Sequence, residues 1–167
     1  MKIPVLHLED GIHQLEKSIN SESLNFYRRD CYPNQLQVSV ELNKFDKSIQ
    51  CKCQITTDAV FSCGRCLSEI QRPVKIDFDF LLYIDEKGLE TDEDNVVNVP
   101  ADVVEIDITD RIIEQLVLAV PMKIVCSEIC KGICSGCGTN LNTGACECGE
   151  PPPDPRWEKL KALKINE

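Results

Sequence analysis

Histidine, long apolar runs and net positive charge are what this chain lacks, and each lack removes a class of function. The only histidines are His7 and His13, both near the start, and there is no glycine-rich phosphate loop, nucleophile elbow or His-Glu-x-x-His helix. No catalytic constellation is offered, so the expectation is a protein that is not an enzyme and has no small-molecule substrate. Met1 to Asp10 contains no apolar run of signal-peptide length, and no later stretch approaches the roughly 20 apolar residues of a membrane span. A cytoplasmic protein with reduced thiols and no membrane partner is expected. The 28 acidic residues against 18 Lys and Arg give a net charge of -10. That balance is poor for gripping phosphate backbones, which attract clustered cations. A basic protein partner is the easier inference.

Cysteine, in contrast, is abundant: there are 11 in 167 residues. In a reducing compartment paired cysteines are read first as metal ligands. Six lie in the run Cys126, Cys130, Cys134, Cys137, Cys146 and Cys148, and Cys63-Gly-Arg-Cys66 lies upstream. Structural zinc takes four thiolates in a tetrahedron, and pairs two to four residues apart let one turn of chain supply two corners. Eight thiols therefore suffice for two structural Zn²⁺ ions. Cys134-Ser-Gly-Cys137-Gly138 is the most specific unit, because glycine permits a left-handed turn after the second sulfur. Cys146 and Cys148 are its natural second half, leaving Cys63 and Cys66 to join Cys126 and Cys130. That second grouping bridges a long loop, a cross-link worth on the order of 4 kcal/mol by chain entropy. Cys130 with Cys134 is an equally short pair, so another partition stays open. An iron-sulfur centre would also use four thiolates, and the two Cys-x-x-Cys pairs leave a thiol redox protein as a further alternative. Arg65, Lys123 and Lys131 are read as offsetting thiolate charge. Cys51 and Cys53 alternate with Ile49 and Ile55 and are assigned to core packing, while Cys31 has no evident partner.

Strict alternation at Leu36, Val38, Val40 and Leu42 predicts a strand, Asn43 to Ser48 a turn, and Ile49 to Ile55 a second strand of a hairpin. A further strand is predicted over 70–84, with Val74, Ile76, Phe78 and Phe80 on one face, which puts Cys63 and Cys66 in a turn between strands. Glu86 to Asn95 reads as a solvated acidic loop. Asp107 can cap a helix through Ile108, Ile112, Ile113, Leu116 and Val120, stopped by Pro121. A proline-rich spacer and a short helix from Asp154 follow Cys148. Near the start, Ile3 to Leu8 suggests a strand and Ile12 to Ile19 a short helix; no internal repeat is evident. The fold class is α+β: a small antiparallel sheet or partly closed β-barrel, one main helix, and a C-terminal cysteine-rich zinc-binding module. The expected parts are an α+β body over 1–122 carrying the Cys63/Cys66 knuckle, a zinc module over 123–150, and a spacer with a terminal helix over 151–167.

Zinc-dependent RNA binding is a rival reading, supported by Phe26-Tyr-Arg-Arg29, although Phe26 and Tyr27 are first assigned to covering the core. The cysteine run from Cys126 to Cys148, followed by Asp154-Pro-Arg-Trp157, together with Cys63-Gly-Arg-Cys66-Leu67 between strands, resembles the YceD family, named for accumulation of the large ribosomal RNA subunit. The resemblance implies a factor for accumulation of large-subunit ribosomal RNA and ribosome assembly, with no recognised enzyme activity. It implies as partner a basic protein of the large ribosomal subunit, the ribosomal RNA, or its precursor.

Overall fold

The alternating apolar segments form a five-stranded sheet in the computed structural model, which describes residues 1–86, 89, 95–149 and 156. In chain order the elements are β1 (Lys2–Pro4), β2 (Gly11–Asn20), β3 (Gln35–Phe45), β4 (Ser48–Ser62), β5 (Glu69–Ile84), β6 (Val96–Val99), β7 (Glu105–Asp107) and α1 (Thr109–Leu118). Strands β2 to β6 lie side by side in sequence order, and β1 pairs with β7 in a separate two-stranded ribbon. The larger sheet is open, not barrelled. Pairing is antiparallel from β2 to β4, but β6 runs parallel to β5. Most of the acidic loop, the proline-rich spacer and nearly all of the expected C-terminal helix lie outside the described residues.

The chain divides into two compact units. The first spans Met1–Phe61 and Glu69–Ile124, and the second Ser62–Ser68 and Val125–Glu167. The turn that carries Cys63 and Cys66 thus groups with the cysteine-rich segment and not with the strands that flank it.

In the first unit the period-two pattern dictates the core. Leu36, Val38, Val40 and Leu42 of β3 are buried, as are Ile49, Cys51, Cys53, Ile55, Ala59 and Phe61 of β4 and Ile76, Phe80 and Leu82 of β5. Each fully buried large aliphatic side chain contributes about 1.5–3 kcal/mol. Helix α1 adds Ile112 and Leu116 to the same core, and the Arg111 guanidinium lies 5.0 Å from the Phe80 ring centroid. The N-cap position of α1 is Ile108, which makes no side-chain cap bond, so the expected Asp107 cap is shifted by one residue: Asp107 precedes it and its Oδ1 accepts from the Thr109 backbone N–H at 2.9 Å. Tyr32 is fully buried, and its hydroxyl donates to the Leu116 carbonyl at 2.7 Å, which satisfies the one polar atom that burial would otherwise strand.

Residues 12–19 correct the expected helix. They form β2, paired with β3 from Gly11↔Lys44 to Asn20↔Gln35. Leu15 and Ile19, four apart, share a face in a helix and in a strand alike, so their spacing does not discriminate. Ile12 does: a helix would place it beside them, and in β2 it points away and is 67% exposed.

Candidate metal centre

The eight paired sulfurs collect into two sets of four. Cys63, Cys66, Cys126 and Cys130 form one, and Cys134, Cys137, Cys146 and Cys148 the other, with the ligand atoms of each set within 4.8 Å of one another. In the first set Cys63 and Cys130 sulfurs are 3.9 Å apart, and those of Cys66 and Cys126 3.6 Å. Four sulfurs about 2.3 Å from a central ion stand about 3.8 Å from each other in a tetrahedron. The spacing fits one ion per set, whereas a multi-iron cluster would hold its thiolates on separate metals, further apart. Both sets lie wholly within the second unit.

Among its described residues that unit buries little apolar surface. The only buried side chains among them are those of Cys63, Cys66 and Cys130, while Leu67 is 65% exposed and Ile129 87%. Without an apolar core, a segment of this size needs a cross-link or a metal to fold. Each four-sulfur set could hold a metal ion, and the scarcity of buried apolar side chains among the described residues fits a unit held in that way.

Two of the half-sites are copies of one six-residue turn. In Cys63-Gly-Arg-Cys66-Leu67-Ser68 the N–H of Arg65 donates to the Cys63 sulfur at 3.4 Å, and Leu67 N–H to the Cys63 carbonyl at 2.9 Å. The Ser68 carbonyl accepts from Cys63 N–H at 2.9 Å, and the Ser68 hydroxyl lies 3.3 Å from the Cys66 sulfur. In Cys134-Ser-Gly-Cys137-Gly138-Thr139 the matching contacts are Gly136 N–H to Cys134 sulfur at 3.4 Å, Gly138 N–H to Cys134 carbonyl at 2.9 Å, Cys134 N–H to Thr139 carbonyl at 2.8 Å, and Cys137 sulfur to Thr139 hydroxyl at 3.2 Å. The fifth residue is left-handed in both, with φ of 59° at Leu67 and 75° at Gly138. Glycine adopts this freely; leucine does so only under constraint. The signal that would have found the shared turn is Cys-x-x-Cys-x-Ser/Thr.

These contacts set the charge. The Cys66 backbone N–H, opposed by burial and assisted by those of Arg65 and Cys126, brings the Cys63 thiol down to about 6. Those of Cys137 and Gly136 bring Cys134 down to about 6. The hydroxyls of Ser68 and Thr139 lead in lowering Cys66 and Cys137. Other sulfurs move the opposite way: Cys126 is pushed up to about 12, chiefly through its hydrogen bond with Cys130, Cys146 is raised, chiefly through Cys134, and Cys148 is pushed up to about 11, chiefly through Cys137. Backbone and hydroxyl donors thus favour thiolate charge at Cys63, Cys66, Cys134 and Cys137, and a divalent ion held by all four sulfurs of a set would favour it at every one. Arg65, expected to neutralise thiolates, instead donates its guanidinium to the carbonyls of Glu128 at 3.1 Å and Cys130 at 2.9 Å, fixing the loop between Cys126 and Cys130.

The other three cysteines stand apart. Burial pushes both Cys51 and Cys53 up to about 12, so they pack as neutral thiols in the sheet core. Cys31 is half-buried and packs against that core. Phe26 packs there too, but Tyr27 is 72% exposed, with the Arg28 guanidinium 5.5 Å from its ring centroid, which corrects its assignment to the core.

Among the described residues, no helix is long and apolar enough to cross a membrane. No solved structure matches the chain. A curated relative from Arabidopsis thaliana, named large ribosomal RNA subunit accumulation protein YCED homolog 1, chloroplastic, is 29% identical over 161 residues, covering 80% of this chain and 50% of its own length. The chain thus spans half the length of that relative. A family model described as large ribosomal RNA subunit accumulation protein YceD matches residues 51–164, more than half of the chain. From the second β4 core position to the end of the cysteine run and beyond, the match takes in both sulfur sets, and the chain belongs to the YceD family.

Proposed function

We propose that this chain is a non-enzymatic factor supporting accumulation of large-subunit ribosomal RNA, and so ribosome assembly in the cytoplasm, that holds a basic ribosomal protein on an acidic surface. Family membership carries the first half of this reading, and charge the second. The water-facing side of the sheet supplies a place for such a partner. Gln14, Glu41, Gln50, Gln54, Asp77 and Asp79 line a depression of about 570 Å³ there, with Lys52 as the only cation in its wall. Lys52 is already engaged by Glu41 at 3.8 Å, and Gln54 donates to Asp77 at 2.8 Å. An acidic concave wall of this kind steers and retains a cationic polypeptide until RNA displaces it. Two structural zinc ions, one in each sulfur set, hold the cysteine-rich unit in shape.

Affinity purification with cross-linking from growing cells, washed at graded salt, tests the reading. A basic large-subunit protein should be recovered first, be released as salt rises, and be lost from an Asp77→Lys, Asp79→Lys double variant. Recovery of ribosomal RNA that survives removal of every ribosomal protein would replace it by direct RNA binding. The exposed Tyr27 under Arg28 favours that second reading, because a stacked aromatic and guanidinium pair is a platform for unpaired bases.

A further inference from the structure

The segment between Cys137 and Cys146 is closed by the second sulfur set, yet its side chains serve the first. Asn142 Nδ2 donates to the Cys130 sulfur at 3.3 Å and to Asn140 Oδ1 at 2.8 Å, while its Oδ1 accepts from Lys131 N–H at 2.9 Å. Asn140 Nδ2 donates to the Ser68 hydroxyl at 3.2 Å, and that hydroxyl is the one beside the Cys66 sulfur. Asn140 Oδ1 in turn accepts from Asn142 N–H at 2.9 Å, so the two amides brace each other. Backbone contacts pin the segment against the first set as well. Leu141 N–H donates to the Gly132 carbonyl at 2.9 Å, and Ile133 bridges to Asn140. Gly132 sits at φ +78°, where a Cβ would stand 3.2 Å from the Arg65 carbonyl, so the backbone approaches the first turn as closely as glycine allows.

From this arrangement we propose that the two four-cysteine sites load metal as a coupled pair, with Asn140 and Asn142 the positioning residues that carry occupancy of one to the other. The inference rests on the zinc reading above. Filling the second site fixes both ends of the 138–145 segment. Its amides are then held on the Cys130 and Cys66 sides of the first site, where donors to the sulfurs stabilise thiolate charge and aim the ligands. Partners of this outer-shell kind typically change metal affinity about 10–100-fold when removed. Coupling is reciprocal, so zinc in the first site must favour zinc in the second by the same factor.

The test is a thermodynamic cycle on the full chain, with zinc affinity measured by competition against a chromophoric chelator. Cys146→Ser with Cys148→Ser abolishes the second site, and the affinity of the first should fall about 10–100-fold. Asn140→Ala with Asn142→Ala, all eight cysteines intact, should weaken the first site comparably. Adding the asparagine changes to the serine pair should cost nothing more, since the link is already broken. Undiminished affinity of the first site in the serine variant, or additive losses in the combined variant, would overturn the coupling. A wild-type chain that binds no zinc at all would instead sink the zinc reading beneath it. Cadmium-113 spectra guard against simple misfolding: Asn142→Asp, which keeps the acceptor for Lys131 N–H and loses the donor to Cys130, should move one of two resonances. Movement of neither would also refute the link.

Discussion

Leu67 and Gly138 occupy the same left-handed position in two copies of one turn, and the difference between them is measurable. A Cβ at Gly138 meets nothing within 4 Å, so Gly138→Ala should cost only its backbone strain, about 1–2 kcal/mol. Leu67→Gly removes that strain from a largely exposed side chain and should be neutral or stabilising by up to about 1 kcal/mol. Denaturation of the metal-loaded chain, followed by metal release, reads both; a stabilising Gly138→Ala would contradict the shared geometry. Asp107 gives a second residue-scale expectation. The Thr109 hydroxyl foremost, then the Met1 nitrogen and the Thr109 N–H, hold its carboxyl well below the usual carboxylate range. A group depressed on folding stabilises fully above its unfolded value, about 3.9, and loses that contribution as pH falls below it. Acid titration of stability should therefore be steeper below about pH 4 in the parent than in Asp107→Asn. Single residues also mark what was legible. Gly138 announced its turn, but Leu67 disguised the same turn, and Ser68 and Thr139 share a hydroxyl under different names.

At the scale of elements, strict alternation made β3, β4 and β5 readable, because a strand with one buried face can carry apolar residues only at every second position. Helix α1 was readable for the matching reason, through Ile108, Ile112 and Leu116. Leu116 is fully buried, so Leu116→Ala should destabilise the first unit by about 2–5 kcal/mol in urea unfolding. By contrast, Ile12→Lys on β2 should stay within about 0.5 kcal/mol of the parent, since that side chain is already in water. A loss as large as that of Leu116→Ala would restore the helical reading of 12–19. Two pairings had no local signature. Strand β1 meets β7 about a hundred residues on, with Ile3 opposite Ile106, and β6 joins β5 in parallel through only four residues. Such partners are chosen by tertiary packing and leave no period in either segment alone.

For the whole molecule, the two units rest on different physics. The first buries a continuous apolar core; the second, among its described residues, buries little besides cysteine. Removing metal with a chelator should strip amide-exchange protection from residues 62–68 and 125–149 while β2 to β4 and α1 keep theirs. Collapse of both together would mean the first unit cannot stand on its own core. The convergence of sulfurs from positions 63 and 130 could be anticipated from spacing and chemistry, whereas the amides of Asn140 and Asn142 could not, because nothing in a polar turn says which sulfur it faces.

The duplicated turn makes the half-sites resemble interchangeable cassettes, yet the exchange is not symmetric. Transplanting Cys134 to Thr139 into positions 63–68 would keep every sulfur contact and discard Arg65, whose guanidinium ties down two carbonyls of the 126–130 loop. The reverse transplant would import an arginine with no such acceptors assigned to it and a leucine in a conformation it dislikes. One knuckle has been specialised as a clamp and the other left generic, which is where a protein engineer would choose to cut.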